Sequence, residues 1–167
     1  MTGSVVLAPP LAEISKQARP YPAHLLQECG SGLVLFSAAF LGHNDAIHFA
    51  RHQLVTTCVD TDAARLAEME NIYPADWTFV VADAWEYAEH ARVSGASWDA
   101  VSVDTFTGAA TARSLDSLDL WLSVARRFVT CTVTPLELLT GEFDRPGWRT
   151  YTWERSEIAE WLVLERE

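Results

Sequence analysis

The sequence predicts an α/β fold of three layers, with a mostly parallel sheet between two layers of helices and an antiparallel hairpin towards the C terminus. First, short apolar runs alternate with helix-like segments from residue 32 to residue 133, a pattern that favours a parallel sheet. Second, residues 33–36 are apolar without a break, as in a strand buried on both faces. Third, residues 148–154 alternate large and polar side chains before an apolar run at 159–164, which is typical of a hairpin.

The predicted elements follow one another along a single domain that spans residues 1–167. The first 22 residues form a leader in which Pro9, Pro10, Pro20 and Pro22 would bound any helix on both sides. After residue 60, apolar side chains recur at helical spacing. The predicted strands are 32–36, 54–59, 77–82, 98–103 and 128–133, and the predicted helices are 11–18 in the leader, 45–53, 61–71, 85–93 and 109–125.

The composition restricts the classes of function. A chain of 167 residues that is 49% hydrophobic, with seven Trp, is long and apolar enough to bury a core. The net charge of −11 would repel phosphate backbones, so general nucleic-acid binding is not expected. No signal peptide and no membrane-spanning run are visible, and a cytoplasmic protein is predicted. Cys58 and Cys131 lie in strand-like runs, where buried reduced thiols are expected.

Acidic residues follow three of the predicted strands, at the edge where open α/β sheets place their ligands. Asp60 closes the second strand, and in folds that bind nucleoside cofactors an acid there accepts hydrogen bonds from ribose hydroxyls. Asp83 and Asp104 follow the third and fourth strands. Alternatives remain open: Asp60 and Asp83 could be helix N-caps, with Asp62 able to cap in place of Asp60, and Asp104 could be a solvated loop acid.

The order of these elements resembles the class I S-adenosylmethionine-dependent methyltransferases, which have a Rossmann-like fold, from about Gly32 onward. In that family the first strand usually ends in an acid, followed by a Gly-x-Gly-x-Gly loop. Here those positions hold Phe36, Ala38, Phe40 and Gly42, so the acid is replaced and only the last glycine is kept.

The resemblance implies S-adenosylmethionine as the cofactor and a small molecule as the methyl acceptor. The motif around Asp104 is similar to that of small-molecule methyltransferases and polyamine synthases, and it implies that Asp104 acts as a general base or orients a substrate amine. Asp60 would bind the ribose, Asp83 the adenine, and the loop the methionine part. The implied cofactor-binding residues are Ser37, Ala38, Phe40, Gly42, Asp60, Asp83 and Ala84.

The altered loop leaves three functions open. Phe40 either blocks the methionine pocket or packs inward in a rebuilt loop, and the loss of an acid at Phe36 favours impaired binding. The first function is methyl transfer to a small acceptor. The second is an inactive relative that uses its surface, such as the hairpin edge, to bind a protein partner. The third is an aminopropyl transferase similar to the polyamine synthases.

Several other side chains have two interpretations each. His48 and His52, one turn apart near Asp45, could be drawn into a metal site with His43, but a solvated helix face is favoured; for Asp45 itself we expect the first helical turn, with Asn44 as cap. Tyr21 could cover a pocket or anchor the leader, and anchoring is favoured. The aromatic residues Trp148, Tyr151 and Trp153 are expected to be partly buried, and a contact between two copies in a homodimer stays open.

Overall fold

The computed structural model describes residues 6–37, 45–105, 108–154 and 160–167. Its strands are β1 (Ser31–Leu35), β2 (Val55–Asp60), β3 (Thr78–Val81), β4 (Trp98–Val103), β5 (Ala125–Val133), β6 (Trp148–Glu154) and β7 (Glu160–Arg166). Its helices are α1 (Pro9–Lys16), α2 (Ala46–Arg51), α3 (Ala63–Ile72), α4 (Ala84–Ser94), α5 (Gly108–Asp116), α6 (Leu118–Ser123) and α7 (Pro135–Thr140), with a short 3-10 helix at Ala23–Leu26.

The seven strands form one sheet in the order β3-β2-β1-β4-β5-β7-β6. The first five strands pair in parallel, whereas β7 pairs antiparallel with both β5 and β6. The predicted α/β class, with a mostly parallel sheet and a terminal hairpin, is therefore confirmed.

Alternate residues of the central strands face two separate apolar layers, as the pleat of a strand requires. On one face, Val34 and Phe128 pack with α1, α2, α3 and Tyr21 of the leader. On the other face, Leu35 and Val101 pack with α4, α5 and α6. The three-layer arrangement follows from this division. In the described ranges, no helix has the length and apolarity needed to cross a membrane.

The prediction of a single helix over 109–125 is wrong. Ser117 separates α5 from α6, because its amide donates to Ser114 O at 3.1 Å and its hydroxyl donates to Arg113 O at 2.8 Å. Such local hydrogen bonds compete with a continuous helix. The strand that follows begins at Ala125, earlier than predicted. The sequence analysis also missed α7, although Pro135 occupies a first-turn position where proline is favoured.

Candidate functional site

The sheet has a topological switch point between β1 and β4, from which the strand order runs in opposite directions. Ligands of open α/β sheets bind outside the carboxyl ends of the strands at such a point. Leu35 pairs with Val59 on one side and with Val103 on the other. The next residues, Phe36, Asp60 and Asp104, therefore follow in register along the carboxyl edge, the edge formed by the carboxyl ends of β1 to β5.

Asp60 lies at the end of β2 and is half-buried. Its Oδ1 accepts a hydrogen bond from the Asp62 amide at 3.0 Å. Asp62, not Asp60, caps α3, since its Oδ1 accepts from the Arg65 amide at 3.1 Å. Of the two alternatives, capping thus falls to Asp62, and the Asp60 carboxylate stays at the edge of the sheet.

Asp83 follows β3 and caps α4, with its Oδ1 accepting from the Glu86 amide at 3.0 Å. The capping interpretation of Asp83 is therefore confirmed, and it leaves a cofactor role for this residue as a prediction. Ala84 begins α4 with its side chain buried in the core. Any contribution of Ala84 to a ligand would come from its backbone.

Asp104 is buried, with 4% of its surface exposed. Its Oδ1 accepts a hydrogen bond from Thr132 Oγ1 at 3.1 Å, and its amide donates to Leu35 O at 3.4 Å. The alternative of a solvated loop acid is wrong, because the end of β5 covers this side chain and supplies a donor. Asp104 is thus a buried, hydrogen-bonded carboxyl group at the switch point of the sheet.

Ser37 is buried and is the first residue of the segment that joins β1 to α2. Its amide and hydroxyl both point to Val59 O, at 3.3 and 3.5 Å. The predicted loop residues Ala38, Phe40 and Gly42 lie outside the described residues, as does the choice between a blocking and an inward-packed Phe40.

Aromatic side chains border the carboxyl edge where the family resemblance implied an acid. Phe36 has φ of 62°, a left-handed conformation that costs a non-glycine residue on the order of 1–3 kcal/mol. Its ring makes an edge contact with Trp85 at a centroid distance of 5.1 Å. The Arg113 guanidinium lies 3.7 Å over the Trp85 ring, whose Nε1 donates to Ser117 Oγ at 3.0 Å. The sequence analysis did not predict Trp85 as part of this edge, although an aromatic side chain in the first helical turn after Asp83 pointed to it.

Two predictions about the histidine segment are wrong. Asp45 precedes α2 at the N-cap position, yet its carboxyl group makes no cap hydrogen bond and instead accepts from Ser102 Oγ at 2.5 Å. His48 is buried rather than solvated, and its Nε2 donates to Arg19 O at 2.8 Å. The His48 side chain turns inward against the leader, which packs over α2, whereas the Asp45 side chain turns towards β4.

Tyr21 anchors the leader, as favoured from the sequence. It is 4% exposed, stacks on His48 and contacts the edge of Trp161. The partial burial expected for Trp148, Tyr151 and Trp153 is also confirmed. The described ranges contain no group of three or more His, Cys, Asp or Glu side chains that could hold a metal ion, and His43 lies outside them.

The architecture is shared with solved methyltransferases. TrmN from Thermus thermophilus matches 95% of this chain with a TM-score of 0.63 and 18% identity. The putative methyltransferase YhhF from Escherichia coli matches 100% of this chain and 90% of its own, with a TM-score of 0.64 and 11% identity. Human methyltransferase-like protein 13, solved in complex with SAH, matches 93% of this chain and 81% of its own, with a TM-score of 0.62 and 17% identity.

This chain spans about half the length of TrmN, since the match covers 52% of that protein. No protein-family model and no curated sequence matches the chain. The likeness is therefore one of fold. On that basis the chain has the class I, Rossmann-like fold of the S-adenosylmethionine-dependent methyltransferases.

Proposed function

We propose that the chain is an S-adenosylmethionine-dependent methyltransferase that acts on a small-molecule acceptor. The observation that carries this proposal is the register at the switch point, where Asp60 and Asp104 flank the end of β1 on its two sides. One carboxyl group is half-buried at the β2 side and the other is buried at the β4 side. The half-buried carboxyl group suits a ribose contact, and the buried one at the switch point suits a group that is held against the acceptor.

The residues present fit the adenosine part of the cofactor better than the methionine part. Asp60 would hold the ribose, and Asp83 with the backbone of Ala84 would border the adenine. Ser37, together with Ala38, Phe40 and Gly42, would hold the methionine part. The fit is weaker at β1, because Phe36 brings a ring against Trp85 where a carboxylate would face the ammonium group. Two carboxyl groups are level with Phe36 on the neighbouring strands, Asp60 beside β1 on one side and Asp104 on the other.

The bound cofactor would supply a methyl group on sulfonium that is already activated for transfer. The work left to this chain is to align the acceptor and to accept its proton. Asp104 suits that task because it lies at the switch point and is held in place by the Thr132 hydroxyl.

Charge supports a small acceptor over a nucleic acid. Arg126 and Arg127 lie at the amino end of β5, and Arg166 lies at the adjacent end of β7. These cations are thus at the edge of the sheet opposite the three aspartates of the carboxyl edge. A polyanion would be repelled by the net charge of −11, and at the carboxyl edge it would meet three aspartates as well as the Arg113 guanidinium over the Trp85 ring. One solved protein with this fold is an rRNA methylase from Streptococcus thermophilus, so RNA belongs among the acceptors to be tested.

Calorimetric titration with S-adenosylmethionine and S-adenosylhomocysteine tests the cofactor. We expect micromolar binding by the wild type and no detectable binding by Asp60→Ala, because the ribose hydroxyls would lose a charged acceptor. Asp76→Ala is the matched control, since Asp76 is an exposed acid at the opposite end of β3, and it should bind as the wild type does. Equal affinity of all three proteins would remove Asp60 from the site.

Transfer of a labelled methyl group separates the acceptor classes. The protein would be incubated with cofactor and, in separate reactions, with a panel of small amines and hydroxyl compounds or with total RNA. Label in a small molecule that disappears in Asp104→Asn is the expected result. Label in RNA alone would leave the enzyme class intact and overturn the small-molecule acceptor.

A second candidate is a catalytically inactive protein that binds a protein partner. Phe36 favours it, because this residue replaces the acid that the family resemblance implies and adopts a left-handed backbone. Circular dichroism and cooperative unfolding would first show that the protein is folded. If the folded protein then binds neither S-adenosylmethionine nor S-adenosylhomocysteine, this function is favoured over methyl transfer.

A further inference from the structure

A cation lies beside the carboxyl edge, on the face of an aromatic ring. The central carbon of the Arg113 guanidinium is 3.7 Å from the centroid of the Trp85 ring, so the two groups are in direct contact. Trp85 lies in the first turn of α4, which follows β3, and its ring contacts that of Phe36 at the end of β1 with centroids 5.1 Å apart. A single aromatic ring therefore separates the guanidinium from the side chain at the switch point of the sheet.

The ring that supports this cation is itself held in place. Trp85 Nε1 donates to Ser117 Oγ at 3.0 Å, and the Ser117 hydroxyl donates to the backbone oxygen of Arg113 at 2.8 Å. A second ring, that of the fully buried Trp121, lies 6.0 Å from the Trp85 ring and donates through its Nε1 to Ser114 O at 2.8 Å. These contacts join α4, α5 and α6, so the fold positions the guanidinium before a ligand arrives.

The guanidinium of Arg113 is exposed, and in the ranges that the structure describes no ion pair and no hydrogen bond involves it. Carboxylates pair instead with other arginines, namely Arg65, Arg92, Arg126, Arg127, Arg145 and Arg149. An aromatic face attracts a cation without cancelling its charge, and the N–H groups of a guanidinium are all donors. Both the charge and the donors of Arg113 are therefore available to an anion from outside the chain.

The carboxyl edge thus offers an acceptor two groups of opposite charge. Asp104 is buried after β4, and Arg113 is exposed on α5, the next helix along the chain. A guanidinium can bind a carboxylate or a phosphate through a pair of parallel N–H···O hydrogen bonds, which fix the orientation of the bound group. Orientation matters because methyl transfer depends on the alignment of the acceptor with the sulfonium carbon. An acid group held by Arg113 would limit the orientations in which the acceptor approaches Asp104.

We propose that Arg113, supported by the Trp85 ring, binds an anionic oxygen group of the methyl acceptor, a carboxylate or a phosphate ester. The acceptor is then a small molecule with an ionised acid group in one part and an amino or hydroxyl group for Asp104 in another. This inference deepens the proposed function and rests on it, because the transfer reaction defines the acceptor. Binding of an anion to Arg113 is nevertheless measurable without the reaction.

Titration of the nitrogen-15-labelled protein with acetate and, separately, with inorganic phosphate tests the anion site by nuclear magnetic resonance. The indole N–H signal of Trp85, assigned with the Trp85→Phe variant, reports on the site at constant ionic strength. We expect saturable shifts of this signal in the wild type. Loss of charged hydrogen bonds should weaken the binding by about tenfold or more in Arg113→Gln. The probe that binds more tightly identifies the acid group, carboxylate or phosphate.

Arg51→Gln is the matched control for this titration. Arg51 is an exposed arginine at the end of α2, next to the start of β2 and thus away from the carboxyl edge. The variant loses the same charge as Arg113→Gln and should bind both probes as the wild type does. Equal affinities of the two variants would overturn the proposal, and so would the absence of saturable shifts with both probes in the wild type.

The transfer reaction tests whether the bound anion belongs to the acceptor. Each acid in the panel of acceptors is paired with its neutral ester or amide, which removes the charge and keeps most of the shape. We expect label in the acid and much less in its neutral partner. In Arg113→Gln the KM for the acid should rise about tenfold, while the affinity for S-adenosylhomocysteine stays unchanged. Equal labelling of acid and neutral partner would overturn the proposal. A tenfold loss of S-adenosylhomocysteine affinity in this variant would place Arg113 at the cofactor and overturn it too.

The two tests separate a failure of this inference from a failure of the proposed function. If the wild type binds neither S-adenosylmethionine nor S-adenosylhomocysteine, the proposed function is wrong, and the titrations with acetate and phosphate still decide on the anion site. Saturable binding that is lost in Arg113→Gln would then support the site. If the wild type binds cofactor but neither probe, the proposed function stands and the role of Arg113 is wrong.

Discussion

Aspartates near the carboxyl edge take different tasks because their surroundings differ. Asp62 and Asp83 cap helices through backbone amides. Asp45 is buried and bonded to Ser102, and Asp104 is buried and bonded to Thr132. Asp60 stays half-buried at the end of β2. All five residues are aspartates, so the role of each one is decided by the elements that pack around it.

The burial of the cysteine thiols gives a prediction about their rates of alkylation. Cys58 and Cys131 are free and buried, as expected from the sequence, and Cys29 is half-buried. Burial raises the pKa of Cys131 to about 12 and that of Cys29 to about 11. Since the thiolate is the reactive form, we expect iodoacetamide at pH 8 to modify Cys29 slowly and the other two only after unfolding in urea. Peptide mapping that finds Cys58 or Cys131 rapidly alkylated in the folded protein would contradict this burial.

Helix α2 is short, and it is held on the sheet by a close contact with β1. Gly32 lies beneath the Phe49 ring, and a Cβ added at Gly32 would come within 2.3 Å of Phe49 Cδ2. Phe49 itself is fully buried in the layer that contains the leader. The absence of a side chain at Gly32 therefore lets α2, and with it Asp45, sit close to the sheet.

Replacement of this glycine should move the helix. Gly32→Ala is expected to lower the free energy of unfolding by about 1–3 kcal/mol, as overpacking of a filled core does, and urea denaturation measures it. Gly30→Ala is the control, because the nearest atom to its added Cβ is Asp99 Oδ2 at 3.7 Å, an ordinary contact. If the two variants have the same free energy of unfolding, α2 moves away from the added methyl group without loss of stability, and the prediction is wrong.

The opposite edge of the sheet, formed by the amino ends of β1, β4 and β5 and called the amino edge here, is held together by an ion pair. At the amino edge, Asp99 accepts from the Gly30 amide at 2.8 Å and from Arg126 Nε at 2.9 Å. The same guanidinium donates to Ser97 and Ser31, so a single arginine joins the starts of β1, β4 and β5. One ion pair and its hydrogen bonds thus tie together the starts of three strands.

This arrangement predicts a pH-dependent contribution to stability. Burial acts to raise the pKa of Asp99, but hydrogen bonds from Gly30 and Arg126 outweigh it and hold the pKa below its ordinary value. A depressed folded pKa stabilises the protein above the unfolded pKa of about 4, and the contribution is lost as the pH falls through the folded value. Because Arg126 is partly exposed, we expect Asp99→Asn to cost only about 1 kcal/mol at pH 7.

Urea denaturation of the wild type and Asp99→Asn at pH 7 and near pH 3 measures this contribution. The difference between the two proteins should shrink at the lower pH, where the wild-type carboxylate begins to be protonated. Asp76→Asn serves as the control because Asp76 is exposed. A difference of equal size at both pH values would mean that the charge of Asp99 contributes nothing.

The sequence by itself determined the layers of this protein and the placement of acids after its strands. Apolar side chains recur every two residues in a half-buried strand and every 3.6 residues in an amphipathic helix. A single segment therefore shows which of its side chains are buried. The ends of β2 and β4 could thus be read from Asp60 and Asp104. The break at Ser117 was missed, because it depends on hydroxyl and amide bonds that do not alter the apolar pattern.

Only the tertiary structure decided which polar groups meet. Ser102 and Thr130 are polar residues within apolar strands, a signal that buried partners must exist, but the sequence does not say which partners. Thr130 lies within hydrogen-bond distance of Tyr21, 109 positions away, and of Ser102, 28 positions away, and Ser102 bonds to Asp45, 57 positions away. Those contacts follow from the placement of β5 beside β4 and of the leader over α2, and so the inward turn of Asp45 and His48 could be seen only in the folded molecule.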